Sequence, residues 1–252
     1  MQKTKIDYLT HTWNPICMRC TPVSPGCQNC WHLKMADRFA ANLTLTNQKR
    51  DIYAGLGKFM LDEKELEAPL KLKKPARIGV QFMGDLFHEA VLFEFIDKVY
   101  EVIRRSSQHT FLVLTKRPEC MAQYQSVLED YPKNLWLGVT AENQEMADKR
   151  IPILLPIPTD VRFVSCEPLL EQIDFSNGGN VHYLRGYPGV GLVVVGCESG
   201  AHRRYCNNEW ILDICNHCQN AGVPVFVKQI TGADGKVLKS FFGWPRQFPK
   251  GD

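Results

Sequence analysis

The chain has 252 residues, of which 44% are hydrophobic and 23% are charged, and this composition excludes a mainly disordered protein. Its net charge of +3 is too small to identify a nucleic-acid-binding protein by itself. The sequence has no apolar run of the roughly 20 residues that cross a bilayer, and no apolar stretch follows Met1. We therefore expect no membrane span and no signal peptide, and a cytoplasmic protein whose thiols stay reduced.

Cysteine is concentrated near the start of the chain, because four of the 10 cysteines lie between positions 17 and 30. Such a cluster in a reducing compartment indicates a metal site or a catalytic device rather than disulfide bonds. Cys20, Cys27 and Cys30 form a C-x6-C-x2-C pattern with Gly26 inside it, and three thiolates suit a 4Fe–4S cluster with one open iron. With Cys17 as a fourth ligand, the same segment matches a structural zinc site.

Short apolar runs alternate with helical patterns along the rest of the chain. We predict helices over 31–43, 93–105, 118–128, 143–150 and 208–221, and strands over 78–82, 111–114, 135–139, 161–164, 192–195 and 223–227. This alternation favours an α/β fold, a full or partial (β/α) TIM-type barrel of parallel strands with an N-terminal cysteine-cluster loop over 11–32. We expect one domain over 1–252, with excursions from the core at 46–76 and 167–191 and an irregular tail at 231–252.

Polar residues follow each predicted strand at its carboxyl end, which is where parallel sheets bind ligands. They are Gly84 and Asp85, then Lys116 and Arg117, then Thr140, Glu142 and Asn143, then Cys166 and Glu167, then Cys197, Glu198 and Ser199, and finally Lys228. We expect a polar pocket above an apolar core. The alternative is structural: Asp85 would cap a helix, Lys116 and Arg117 would form a solvated basic edge, and Glu167 would shape a turn before Pro168.

Several ordered motifs carry a resemblance that covers nearly the whole chain. They include the cysteine segment 12–31, Asp85-Leu86-Phe87-His88, Leu114-Thr115-Lys116-Arg117-Pro118, Trp136-Leu137-Gly138-Val139-Thr140, 162–169 and Gly196-Cys197-Glu198-Ser199-Gly200. In these motifs the sequence resembles the three-Cys-motif phage proteins, an uncharacterised family that looks distantly like radical SAM enzymes such as spore photoproduct lyase. The first cysteine gap is longer here than the usual radical SAM spacing of C-x3-C-x2-C, and Cys17 is an additional cysteine.

The resemblance implies that the open iron of the cluster binds S-adenosylmethionine and that reductive cleavage yields a 5′-deoxyadenosyl radical. It implies cofactor contacts from Gly84, Asp85, Thr140, Glu142, Asn143 and Ser199, with Asp85 on the methionine amino group. Glu198, Cys166 and Cys197 are the candidate catalytic residues, the two thiols because they stand at strand ends. Lys116, Arg117, Glu167 and Lys228 are candidates for binding the substrate, including an anionic group such as phosphate.

Three functions follow as hypotheses. The first is a radical SAM-like enzyme that acts on a nucleic acid or a nucleotide-derived substrate and receives electrons from a reductant protein. The second is a zinc-binding, nucleic-acid-interacting module without catalysis, which the four-cysteine pattern and the basic segment 46–76 support. The third is a non-enzymatic phage accessory protein that binds a host partner through an exposed apolar patch.

Overall fold

The computed structural model describes residues 1–176, 183–186, 188–239 and 243–249. The protein has a mixed α/β fold with a large, mostly parallel sheet of nine strands and a small sheet of two strands. The α/β class and the parallel strands predicted from the sequence are thus confirmed. Within the described ranges the sheet does not close, so a barrel is not confirmed.

Strands and helices alternate along most of the chain. The strands are β1 (Gln2–Lys3), β2 (His11–Trp13), β3 (Ile16–Cys17), β4 (Met60–Leu61), β5 (Arg77–Val80), β6 (Thr110–Thr115), β7 (Leu135–Thr140), β8 (Val161–Cys166), β9 (Leu192–Gly196), β10 (Val225–Thr231) and β11 (Val237–Leu238). The helices are α1 (Trp31–Ala40), α2 (Asn47–Ala54), α3 (Glu63–Leu66), α4 (Phe93–Arg105), α5 (Pro118–Gln125), α6 (Gln144–Leu154) and α7 (Asn208–Ala221), with 3₁₀ turns at Pro25–Cys27 and Ala68–Lys71. None of the described helices is both long and apolar enough to cross a lipid bilayer.

The chain forms two compact units, Met1–Trp136 and Leu137–Asp252, and β7 runs across their boundary. In the first unit the strands lie in the order β1-β2-β5-β6. β2, β5 and β6 are parallel, with Trp13 beside Val80 and Val80 beside Val113, whereas β1 is antiparallel to β2. The connection from β2 to β5 contains the cysteine loop, α1, α2 and the small sheet of β3 and β4.

Helix α4 joins β5 to β6 and shows how the sequence pattern produces a buried face. Ile96, Val99, Tyr100 and Ile103 recur at helical spacing and are all buried, while Arg104 and Arg105 in the last turn favour the negative end of the helix dipole. Its bounds agree with the predicted range. The excursion predicted at 46–76 contains α2, β4 and α3, so it is a folded insertion in the crossover.

In the second unit β8, β9 and β10 are parallel neighbours, and β11 pairs antiparallel with β10. α7 joins β9 to β10; the Asn207 side chain caps its start, and Gly222 ends it with a left-handed φ of 70°. β10 carries a bulge, because Val227 pairs with Val195 and Gln229 with Gly196. Lys228 is therefore the additional residue, and a bulge of this kind redirects a side chain. The described part of 167–191 contains no helix, as predicted, whereas the tail predicted to be irregular contains β11.

Candidate functional site

Three strand ends of the first unit meet in one buried hydrogen-bonding network. Because β2, β5 and β6 are parallel, the segments that follow them leave the sheet at the same edge. The cysteine loop follows β2, Asp85 comes shortly after β5, and Arg117 comes shortly after β6. The network that joins them is the best-defined polar feature of this unit.

Asp85 is the centre of this network, and only 3% of its surface is exposed. Its Oδ1 accepts hydrogen bonds from the Thr115 hydroxyl at 2.7 Å and the Phe87 amide at 3.0 Å. Its Oδ2 accepts from the Lys116 amide at 3.1 Å and from Arg117 Nη1 at 3.2 Å. Four donors use the roughly four acceptor positions that a carboxylate offers. Asp85 is therefore a positioning residue that holds Arg117 and the end of β6.

Arg117 connects Asp85 to the cysteine loop, and its side chain is 6% exposed. Its Nε donates to Glu89 at 2.8 Å, and its Nη2 donates to the carbonyl and the hydroxyl of Thr21 at 3.0 and 2.8 Å. Its Nη1 also lies 3.7 Å from the Cys20 sulfur. Burial favours the neutral form, but Asp85, Cys20 and Glu89 outweigh burial and raise the pKa of Arg117. A fixed positive charge thus stands beside the first thiol of the motif.

The backbone around Cys20 is held by two hydrogen bonds. Its backbone amide donates to His32 Nε2 at 3.2 Å, while the next residue, Thr21, is held by Arg117. Burial, and next the charge of Asp85, raise the pKa of Cys20 to about 12 although Arg117 acts in the opposite direction. Without a metal the residue is therefore a thiol, and metal binding would release its proton.

His32 lies in the first turn of α1 and is 2% exposed. Because its Nε2 accepts the Cys20 amide, the ring proton belongs on Nδ1, which is buried and has no partner within the described residues. Burial, followed by the charge of Arg19, lowers the pKa of His32 to about 4. The ring is accordingly neutral at physiological pH and acts as an acceptor that fixes the loop.

The other two cysteines of the motif stand at the end of the loop. Cys27 ends the 3₁₀ turn Pro25–Cys27, with its sulfur 4.0 Å from the Ser24 hydroxyl, and Cys30 is the N-cap residue of α1. The Cys30 amide donates to the Cys27 carbonyl at 3.1 Å, and Cys27 is near enough to act on the pKa of Cys20. All three are free thiols.

Cys17 has different surroundings from Cys20, Cys27 and Cys30. It is buried in β3, where its thiol lies near Tyr53, Lys49 and Asp62. Burial is the largest cause of its raised pKa. In residues 1–176, 183–186, 188–239 and 243–249 no three histidine, cysteine, aspartate or glutamate side chains are already gathered as a metal site.

The segment after β5 is fixed to the entry of the cysteine loop. Gln81 has a left-handed φ of 54°; its side-chain oxygen accepts the Ile16 amide at 3.0 Å, and its Nε2 donates to the Ile16 carbonyl at 2.8 Å. Gly84 has a φ of +132°, and a Cβ on it would lie 2.5 Å from the Met18 sulfur. Gly84 thus has a packing role, because it permits a close approach of the backbone to the loop.

His88 is a site residue that sequence reasoning missed, together with Thr21 and Glu89. Its Nδ1 accepts the Ala90 amide at 3.1 Å and lies 3.2 Å from the Glu89 carboxylate, and its Nε2 lies 2.9 Å from the Thr21 hydroxyl. Burial, and next the charge of Arg117, lower the pKa of His88. The motif Asp85-Leu86-Phe87-His88 is recognisable in the sequence, but its partners lie in the cysteine loop and cannot be inferred from spacing.

In the second unit each glutamate that follows a strand is paired with a basic side chain. Glu142 accepts from Arg150 at 2.8 Å with both side chains almost fully buried, and Glu167 pairs with Lys228, which the bulge in β10 presents. Glu198 forms a two-point contact with Arg204, at 3.0 Å from Nε and 2.5 Å from Nη2. The predicted substrate residues Glu167 and Lys228 are thus brought together.

The remaining candidates of this unit stand in structural or inaccessible positions, apart from Ser199, which is exposed. Arg150 also donates to the Thr140 carbonyl at 2.8 Å, and Asn143 caps α6 by accepting the Met146 amide at 3.0 Å. Burial raises the pKa of Cys166 and that of Cys197, and both side chains are at most 1% exposed. These thiols are therefore protonated, inaccessible groups rather than poised nucleophiles.

The fold and the network define an α/β protein whose cysteine loop is fastened to the carboxyl edge of parallel strands. The chain belongs to the DUF5131 family, described as proteins of unknown function, whose profile matches residues 3–240. No curated protein and no solved structure matches the chain.

Proposed function

We propose that the protein is a radical SAM-like iron–sulfur enzyme in which Cys20, Cys27 and Cys30 hold a 4Fe–4S cluster. The observation that carries this proposal is the separation of the cysteines into two environments. Cys17 lies near Tyr53, Lys49 and Asp62 in β3, whereas Cys20 lies beside Arg117 and near Cys27. The donor set therefore fits a three-thiolate cluster better than a four-thiolate zinc site.

A cluster held by Cys20, Cys27 and Cys30 would supply the reductive cleavage of S-adenosylmethionine. Around it, the residues of the chain have supporting roles. His32 accepts the Cys20 amide and Arg117 holds Thr21, so the loop keeps its shape. The Arg117 charge, 3.7 Å from the Cys20 sulfur, favours the thiolate that a metal requires.

The strand order supports the fold that this proposal needs. In each unit the neighbouring parallel strands follow chain order, as they do in barrel-type folds, whereas doubly wound sheets reverse their order. We therefore propose a partial barrel in which the cysteine loop follows β2. The apolar pattern did not predict this strand.

For the substrate we propose a nucleic acid or a nucleotide-derived molecule, in the cytoplasm and with a reductant protein as electron source. Lys116 supports this choice, because it stands at the end of β6 and its ammonium has no carboxylate partner in the described part of the chain. An unpaired lysine that directly follows a parallel strand suits a phosphate group.

The test is anaerobic reconstitution with iron and sulfide, followed by S-adenosylmethionine and a reductant. We expect a 4Fe–4S absorption and EPR spectrum and the formation of 5′-deoxyadenosine. Cys20→Ser, Cys27→Ser and Cys30→Ser should each lose the cluster, whereas the matched control Cys17→Ser should keep it. Absence of both spectrum and product would refute the proposal.

The same set of variants separates this function from the zinc-binding module. One zinc per chain in aerobically purified protein, with no iron, and its loss in Cys17→Ser as in Cys20→Ser, would establish a four-thiolate site instead. Retention of iron by Cys17→Ser would rule that site out.

A further inference from the structure

Tyr205, in the second unit, is an exposed aromatic residue on a loop that is fixed on both sides. Its side chain is 73% exposed, and its ring meets the Trp210 ring at a centroid distance of 6.5 Å and an angle of 75°. A single exposed aromatic residue is ordinary on a protein surface. What distinguishes Tyr205 is how little freedom its neighbours leave it.

The residue before Tyr205 is anchored by a carboxylate, and the residue after it is anchored to the sheet. Glu198 accepts three hydrogen bonds from Arg204, one from the backbone amide at 2.8 Å and two from the guanidinium. Cys206 is 1% exposed, and its carbonyl accepts the Thr231 hydroxyl at 3.1 Å. The Tyr205 ring is therefore presented to solvent from a rigid backbone, so binding on it would cost little ordering entropy.

A positively charged residue, Arg203, stands two positions before Tyr205 in the same loop. The Arg203 residue is exposed, and its guanidinium donates to the Gly200 and Gly235 carbonyls at 3.2 and 2.5 Å. Within the described residues it forms no direct ion pair with a carboxylate. Arg204 is different, because Glu198 neutralises it. Arg203 is thus the arginine of this loop without a direct ion pair, although the charge of Asp234 acts on it from nearby.

We propose that Arg203 and Tyr205 form a binding surface for single-stranded nucleic acid, with a base on the Tyr205 ring and a backbone phosphate on the Arg203 guanidinium. An aromatic platform with an adjacent cation is the arrangement that binds single strands with little sequence preference. The surface deepens the nucleic-acid part of the proposed function. Its binding does not require the iron–sulfur cluster, so the two proposals fail separately.

The experiment measures fluorescence anisotropy with the full-length protein and a fluorescein-labelled oligothymidylate of about 15 nucleotides, with oligouridylate as a parallel arm to separate DNA from RNA. Tyr205→Ala should weaken binding by about 5- to 100-fold, as expected when one base loses its aromatic partner, and Tyr205→Phe should bind like the wild type. Arg203→Gln should lower the slope of log affinity against log salt by about 0.7, the contribution of one phosphate.

The matched control is Arg185→Gln. Arg185 is likewise an exposed arginine of the second unit, and it donates to the backbone carbonyl of Asn220. Asn220 lies at the end of α7, whereas Trp210 lies near its start. This variant should bind like the wild type. Three results would each overturn the proposal. They are no binding to either oligonucleotide, binding by Tyr205→Ala as tight as that of the wild type, and displacement of the labelled oligonucleotide by polyglutamate as effective as that by unlabelled oligonucleotide.

Discussion

Replacing Arg117 by glutamine should destabilise the protein strongly, because it breaks a buried ion pair and releases the cysteine loop. Arg117 and Asp85 lie 3.2 Å apart with 6% and 5% of their side chains exposed. Removing one partner of such a pair costs about 3–5 kcal/mol. Since Asp85 keeps three other donors, we expect a loss near the lower end, about 3 kcal/mol in the free energy of unfolding.

The assay is urea unfolding of the metal-free protein, followed by circular dichroism and tryptophan fluorescence. Asp85→Asn and the double variant with Arg117→Gln complete a double-mutant cycle, and we expect a coupling of about 1–3 kcal/mol because the two residues act as one unit. Arg117→Lys should recover only part of the loss, because one ammonium cannot reach Asp85, Glu89 and Thr21 at once.

The control is Lys98→Gln, which breaks the Lys98–Glu63 pair of the same unit, where the side chains are 54% and 69% exposed. Its effect should stay within about 0.5 kcal/mol. A loss below about 1 kcal/mol in Arg117→Gln, or additive effects of Asp85→Asn and Arg117→Gln, would refute the reasoning that a single buried network holds the loop.

Three further predictions concern stability. The folded-state pKa of His32 is about 4, below the unfolded value of about 6.5. Between these two pH values only the unfolded chain takes up a proton on this ring. The metal-free protein should therefore lose up to about 3 kcal/mol as the pH falls from about 6.5 to about 4, and His32→Gln should lack this part of the pH dependence; parallel unfolding profiles would contradict it. Gly84→Ala should cost about 2–4 kcal/mol in the free energy of urea unfolding. Adding Met18→Ala should relieve the contact but not the strain of the positive φ, so full rescue by the double variant would contradict a role of backbone strain. Arg150→Met should cost about 3–5 kcal/mol because Glu142 stays buried without its cation, and adding Glu142→Gln should restore much of the loss in the same assay.

The sequence is a good guide where the structure depends on local pattern. The bounds of α4 and α7 agree with the prediction, because each has a continuous apolar stripe, and α7 ends at a glycine as helices commonly do. The apolar pattern does not predict β2, because His11–Trp13 is short and contains no run of apolar residues. The nine-stranded, mostly parallel sheet agrees with the predicted class, and closure depends on long-range geometry that spacing does not encode.

The candidate site was predictable only in its residue types. The cysteine spacing predicts a metal-binding loop, and the strand-end pattern draws attention to Asp85 and Arg117. Their partnership with Cys20 is not visible in the sequence, because Arg117 lies 97 positions away from it. The environment of Asp85 also differs from the expectation, for a physical reason: a carboxylate after a strand looks available, but here four donors of the protein itself occupy it.

Gln81 has a wider consequence, because its side chain imitates a peptide group. It gives Ile16 one acceptor and one donor, as a residue of a neighbouring strand would, while its own backbone amide still donates to the Trp13 carbonyl of β2 at 2.8 Å. The side-chain amide of Gln81, which directly follows β5, thus fixes the start of the cysteine loop. The length of the loop does not determine this position. Insertions or deletions around the exposed Val23 would then change only the loop between Cys20 and Cys27. Cys20 can therefore keep a fixed position although the gap that follows it is long.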